Sequence, residues 1–146
     1  MNDLARWVGR IGTIFGCLSL LIIVSAAAAL WWFAGEMCEN TIVQTIESPD
    51  RQHIVTMFER NCGATSGFTT QASVLDHGAV PTGSGNAFVA DADHGKARTG
   101  EWGGPWAEMR WLSNQHVLIR YARGSRIFEQ DEQVSGVEIT YQPVQR

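Results

Sequence analysis

Beyond Phe33 the sequence has no stretch that keeps helical periodicity for three turns, no internal repeat of solenoid period, no heptads and no low-complexity tract outside its Gly-rich loops. Those absences exclude a helical bundle, a repeat array and a coiled coil. Basic residues are also scarce. Of 11 Lys and Arg, Arg6 and Arg10 come early, and of 15 Asp and Glu only Asp3 does, so nine cations face fourteen carboxylates from Ala34 onward. Nucleic acid is excluded as a partner, because phosphate backbones need a basic stripe that this composition does not supply. There are 3 cysteines and no C-x-x-C, which removes the local dithiol of redox enzymes. No segment reads G-x-S-x-G, and nothing ties a His and an acid to a serine. With no catalytic or cofactor motif, the chain reads as a non-enzyme that needs no cofactor.

What is present is one long uncharged run, IGTIFGCLSLLIIVSAAAALWWF, from Ile11 to Phe33. A hydrocarbon core of about 30 Å takes roughly 20 apolar residues as a helix, and a helix satisfies its own backbone there. The sequence therefore predicts a cytoplasmic segment at 1–10, a transmembrane anchor at 11–33 and an exported domain at 34–146. Arg6 and Arg10 precede the run while Glu36 and Glu39 follow it, which leaves the N-terminus in the cytoplasm. Trp7, Trp31, Trp32 and Phe33 sit where aromatic rings favour headgroups. The alternative is a secretory signal, with an apolar core from Ile11 to Val24 and small residues Ser25 to Ala29 as its cleavage region. Either reading delivers the C-terminal part to the bacterial periplasm, held at the inner membrane or released. Cys17 reads as a lipid-facing thiol, since most of the apolar run follows it.

The two remaining cysteines, Cys38 and Cys62, form an even pair in an oxidising compartment and predict a disulfide. It closes a loop of about 25 residues and contributes on the order of 3 kcal/mol by restricting the unfolded chain. The exported part otherwise reads as short strands between Gly, Pro, Asn and Asp. Thr41 to Glu47 alternates, with Ile42 and Ile46 on one face, and Ser48-Pro49-Asp50 turns. His53 to Arg60 is apolar on both faces, as a covered central strand is, and Phe68 to Leu75 returns with Phe68, Ala72 and Val74 inward. Ala87 to Ala90 is a short strand before the long polar stretch to Pro105.

Trp106 to Leu112 and His116 to Ala122 then make a hairpin around Ser113-Asn114-Gln115. Its pattern sets Trp111 against Val117, Met109 against Ile119 and Ala107 against Tyr121 on one face, with Glu108 opposite Arg120 on the other. Arg126 to Phe128, an acidic turn from Glu129 to Glu132 and Val137 to Tyr141 complete seven or eight strands. The fold class is all-β: a small antiparallel sandwich or barrel-like exported domain following one N-terminal transmembrane helix.

Cys38-Glu39-Asn40, Ser48-Pro49-Asp50, ERNCGATSGFTTQASVL (Glu59 to Leu75), NAFVADADHG (Asn86 to Gly95), Trp111-Leu112-Ser113 and Ile119-Arg120-Tyr121 together resemble a family of small bacterial envelope proteins of unknown function. The resemblance spans nearly the whole exported domain. It implies one anchored or exported β domain with a cysteine pair, and no activity to carry over. The Ser-Pro-Asp and Trp-Leu-Ser turns also resemble single TolB-type propeller blades, which two hairpins are too few to build.

Four places carry chemistry worth testing. Asp91-Ala92-Asp93-His94 offers alternating carboxylates and an imidazole, with Asp76 and His77 in another loop as further ligands for a divalent metal. On that reading the chain is a metal-dependent enzyme or a metal-binding protein; the plainer one is a solvated turn. The Gly63 to Gly67 and Thr82 to Gly85 segments set serines among glycines. The second resembles the Ser-Gly-Ser-Gly loop with which some small periplasmic lysozyme inhibitors enter the enzyme's cleft, an alternative binding function. Arg110, Arg120, Arg123 and Arg126 concentrate positive charge suited to anionic headgroups or an acidic partner. Finally, Trp102 and Trp106 flank a Gly-Gly-Pro turn, and Trp is enriched at interface hot spots. The favoured reading is a membrane-anchored, non-enzymatic binding or assembly module for another envelope protein, with Trp102, Trp106, Arg120, Arg123 and Arg126 as its contact residues.

Overall fold

Among the described residues, short apolar runs cut by turn residues become nine strands, preceded by one α-helix. The computed structural model describes residues 2–36, 38–63 and 67–145, with helix side chains at position 7 and at 15–31. Two compact units emerge, Met1–Met37 and Cys38–Arg146.

The first unit is helix α1 (Asn2–Glu36). Leu18, Leu20, Leu21, Ile22, Ile23, Val24, Leu30 and Trp31 are exposed around it, and the Ser19 hydroxyl donates to the Phe15 carbonyl at 2.9 Å, so the helix satisfies its own polar side chain. Among the described residues, no helix is long and apolar enough to cross a membrane. The expected anchor at 11–33 extends past the described side chains at both ends. Arg6, Arg10, Trp32, Phe33 and Glu36, on which its orientation and aromatic belt rest, lie outside them.

The second unit comprises β1 (Glu39–Glu47), β2 (His53–Asn61), β3 (Thr69–Asp76), β4 (Phe88–Asp91), β5 (Ala107–Ser113), β6 (His116–Ala122), β7 (Arg126–Gln130), β8 (Gln133–Val134) and β9 (Val137–Val144). They form a five-stranded sheet in the order β1-β2-β3-β4-β7 and a four-stranded sheet in the order β5-β6-β9-β8. One hydrophobic core joins the inner faces of both. Val55, Met57, Ala72, Val74, Phe88 and Ala90 come from the first sheet; Ala107, Met109, Val117, Ile119, Val137 and Ile139 come from the second. Two sheets around a shared core make a sandwich.

The strands that the alternation specifies best form as expected. In the β5–β6 hairpin Ala107 faces Tyr121, Met109 faces Ile119, Trp111 faces Val117 and Glu108 faces Arg120, the last two closing an ion pair. The loop is tighter than expected, because a bulge at Leu112 sets Ser113 opposite His116 and leaves only Asn114 and Gln115 in the turn. At the other hairpin, buried Ser48 donates to Asp50 Oδ1 at 2.7 Å and accepts the His53 amide at 3.1 Å, fixing the Ser-Pro-Asp turn. The Ser48 hydroxyl and the Gln52 amide hold the Asp50 carboxyl below its ordinary value.

β2 is covered on both faces, with residues 54–58 all buried. The 77–86 loop is tied to β1 and β3, the neighbours of β2, by polar side chains. Asn40 donates to the Pro81 and Gly83 carbonyls, Gln71 accepts from the Gly85 amide at 2.7 Å, and the Asn86 side chain pairs with both backbone groups of Val74.

Several expectations are corrected. β6 and β9 run parallel, so the sandwich is not wholly antiparallel. The chain leaves β6 for β7 in the other sheet, returns as β8 and turns back antiparallel into β9, which therefore runs in the direction of β6. Ile42 and Ile46 do not share a face. A bulge between Ile42 and Gln44 reverses the alternation, so Val43 and Ile46 pack on the core while Ile42 is exposed. Phe68 precedes β3 and is 49% exposed, lying over Gly103 and not inside. Glu129 belongs to β7, and β9 continues three residues past Tyr141, to Val144.

Cys38 and Cys62 are joined as a disulfide. Glu39 pairs with Asn61 at the end of the β1–β2 ladder, so the bond occupies the next position outward. Replacing both cysteines by Ser should lower the unfolding free energy by about 3 kcal/mol. The expected readout is a lower urea midpoint with a steeper slope, because the unfolded chain expands without the bond; an unmoved midpoint would show that the bond adds nothing to stability.

Candidate functional site

The polar stretch between β4 and β5 is organised by side chains reaching back to its own turn. Asp91 accepts the Asp93 amide at 2.9 Å and pairs with Arg126, while Lys96 Nζ reaches Asp93 Oδ2 at 2.6 Å. Burial alone would raise the Asp91 carboxyl, but the Arg126 guanidinium and the Asp93 amide outweigh it and hold that group below its ordinary value. Asp93 is held down mainly by the Lys96 ammonium. Both carboxylates proposed for a metal are thus bound to cations. His94 is exposed at positive φ in the turn, whereas His77 stands 3.4 Å from Glu47. Asp76 lies 3.8 Å from His53. Among the described residues no three of His, Cys, Asp and Glu come together as a metal site.

The two glycine-rich serine segments fare differently. Ser84 donates to Gln71 Oε1 at 3.1 Å, and Gly85 is buried so closely that a Cβ would meet the Phe88 and Ala72 carbonyl oxygens. The Thr82 to Gly85 loop is therefore clamped to the sheet. Ala64 to Ser66 of the first segment lie outside the described residues.

The tryptophans separate by task. Trp102 packs against the core, and its indole N–H donates at 2.8 Å to Thr70 Oγ1, which itself donates to the Pro105 carbonyl at 2.6 Å. Gly104 makes this possible, since a Cβ there would lie 2.5 Å from Thr70 Oγ1. Trp106 has another neighbour: the Arg98 guanidinium lies 4.5 Å above its ring centroid, a geometry that orders a cation without neutralising it.

Trp106 forms one wall of a cleft of about 320 Å³ shared with Lys96, Arg98, Ala122, Arg123 and Val144. Backbone hydrogen bonds fix these walls to one another. The Trp106 amide donates to the Arg98 carbonyl, that of Ala122 to Trp106, and that of Arg123 to Val144, at 2.8 to 2.9 Å. Gly124 lets the turn after β6 approach closely; at φ 93° it tolerates no ordinary side chain, and a Cβ would come within 3.0 Å of the Lys96 carbonyl oxygen.

The arginine concentration seen in the sequence is thus redistributed. Arg120 is held by Glu108 and Arg126 by Asp91, leaving Arg123 from that group at the cleft, where Lys96 and Arg98 join it. Sequence reasoning missed the last two because they lie in a different loop and nothing in the local pattern links them to Arg123. Beyond the helix, among the described cations, only Arg98, Arg110 and Arg123 have neither a carboxylate nor an amide oxygen.

Substitutions at two positions test these assignments. Thr70→Val strands the Trp102 N–H and the Pro105 carbonyl, and should cost about 1–3 kcal/mol in urea unfolding, while Thr70→Ser keeps most of the stability. A depressed Asp91 carboxyl stabilises fully above the ordinary carboxylate range and loses that contribution as pH falls through its lowered value. Asp91→Asn should therefore flatten the acid side of the stability profile; identical acid limbs in variant and wild type would show that the Arg126 pair is not coupled to folding.

Compared with family models, with curated proteins and with solved structures, this chain finds no match.

Proposed function

We propose that this is a single-pass protein of the bacterial inner membrane, and that its periplasmic β domain is a non-enzymatic module binding another envelope component. The anchor rests on the uncharged run from Ile11 to Phe33 and on a helix whose described apolar side chains are uncovered on all sides. Such a helix needs lipid or protein around it. The Cys38–Cys62 bond fits an oxidising compartment, and the resemblance to small envelope proteins points the same way.

One observation carries the binding reading: among the described residues Arg98 and Arg123 find no counter-ion and stand on a single cleft, in a domain whose other described cations are mostly held by carboxylates. Tethering would raise the local concentration of even a weak partner. Trp106 and Arg123 belong to this surface, while Trp102, Arg120 and Arg126 support the domain that displays it.

Photo-crosslinking in native membranes, with probes at Arg123 and at exposed Arg110, tests the proposal. A dominant protein adduct from position 123 is expected, in a protein that stays in the membrane through alkaline extraction. Release by alkali would remove the anchor, and adducts identical at both positions would remove the cleft as the contact surface.

A further inference from the structure

We infer that the cleft walled by Lys96, Arg98, Trp106 and Arg123 is a binding site for a phosphate group carried on a small molecule or a lipid headgroup. The inference deepens the binding reading and names the chemistry at that site; it does not depend on the anchor.

The exported part has more carboxylates than cations, so an unpaired arginine finds acids plentiful in the same domain. Arg51, Lys96, Arg120 and Arg126 each take one. Among the described residues Arg98 and Arg123 take none, although they come from different loops and line the same cleft. Their placement is built, since the backbone bonds that join Arg98 to Trp106, Trp106 to Ala122 and Arg123 to Val144 fix their main chains. Stacking on Trp106 removes much of the rotamer freedom of Arg98 before any ligand arrives.

The shape of the cation set selects the ligand. A carboxylate is planar and is satisfied by one guanidinium fork. Two unpaired guanidinium groups, supplied by separate segments around a cleft of about 320 Å³, suit a tetrahedral anion with three free oxygens and a charge approaching two. Lys96 lines the same cleft, its ammonium held by Asp93. The open part of the Trp106 indole, together with Ala122 and Val144, provides an apolar wall for the carbon skeleton that bears the phosphate.

The test uses the full chain in a neutral detergent and titrates it calorimetrically with inorganic phosphate and with glycerol phosphate. Saturable binding to the wild type is expected, weakened about tenfold or more by Arg98→Gln or by Arg123→Gln, as the loss of a charge-assisted hydrogen bond implies. Arg110→Gln is the control, because it removes an equally unpaired cation from outside the cleft. No saturable binding, or equal weakening by Arg110→Gln, overturns the inference. If the cleft variants lose binding together with their far-ultraviolet spectrum, Trp106→Phe, which keeps the domain aromatic there, decides: unchanged affinity for glycerol phosphate overturns the site. Repetition in nanodiscs separates the sources. Loss of soluble-ligand binding when phosphatidylcholine is exchanged for phosphatidylglycerol identifies the headgroup as occupant, and retention identifies a soluble phosphate compound. Failure here with a surviving crosslink at Arg123 rejects the phosphate chemistry alone, whereas loss of both rejects the binding module.

Discussion

The two sheets meet on the ring of Phe88. It is buried on β4, with the Tyr121 and Tyr141 rings of the opposite sheet at 5.3 and 5.9 Å. β4 has four residues, too few for its backbone hydrogen bonds to hold β3 and β7 together without help. The help comes from Tyr141, whose hydroxyl lies 2.6 Å from the Ala87 carbonyl oxygen and 2.8 Å from that of Asp131, one proton shared between two acceptors. Burial, and the carboxylates of Asp131, Glu129 and Glu132, push the phenol well above its ordinary value. It therefore stays a donor at any pH the domain meets. Because β9 lies beside β6, the same contact sets where Ala122 and Val144 end, and with them the walls of the cleft.

What the sequence made legible was whatever depends on neighbours along the chain. The β5–β6 register could be read because apolar and charged residues alternate cleanly through both strands, and a one-residue slip would set Met109 against Arg120. The Ser48-Pro49-Asp50 turn was legible because its hydrogen bonds close within six residues. β1 was misread at a single position: the bulge at Val43 inverts the face of everything before it, and a strict two-residue period has no way to announce an inserted residue. The parallel β6–β9 pair was hidden for a different reason, since it is set by two crossings between sheets and not by any local pattern.

The cleft was legible only in part. Arg123 and Trp106 drew attention as a cation and an indole in polar surroundings, but counting charges along the chain grouped Arg123 with Arg120 and Arg126, both of which the fold gives to carboxylates. Lys96 and Arg98 lie in the loop of Asp93 and His94, and no local pattern links them to Arg123. Only the folded backbone decides which charges remain unspent, because Asp91 and Arg126 meet through the β4–β7 ladder. Charge density in sequence and free charge in space are different quantities, and a binding site depends on the second.

The disulfide has a mechanical side. β1 is the edge strand of its sheet, joined to the rest by the β1–β2 ladder, and an edge strand pulled from one end peels away bond by bond. The chain enters β1 directly from the segment that follows helix α1, so any tension on that helix would arrive at the first pair of the ladder. Cys38 intercepts it. Through Cys62 the load passes to the far end of β2, a strand paired on both sides, and peeling is replaced by shear across several strands at once. Tension that enters the domain at Cys38 is then borne without the sandwich opening from its edge.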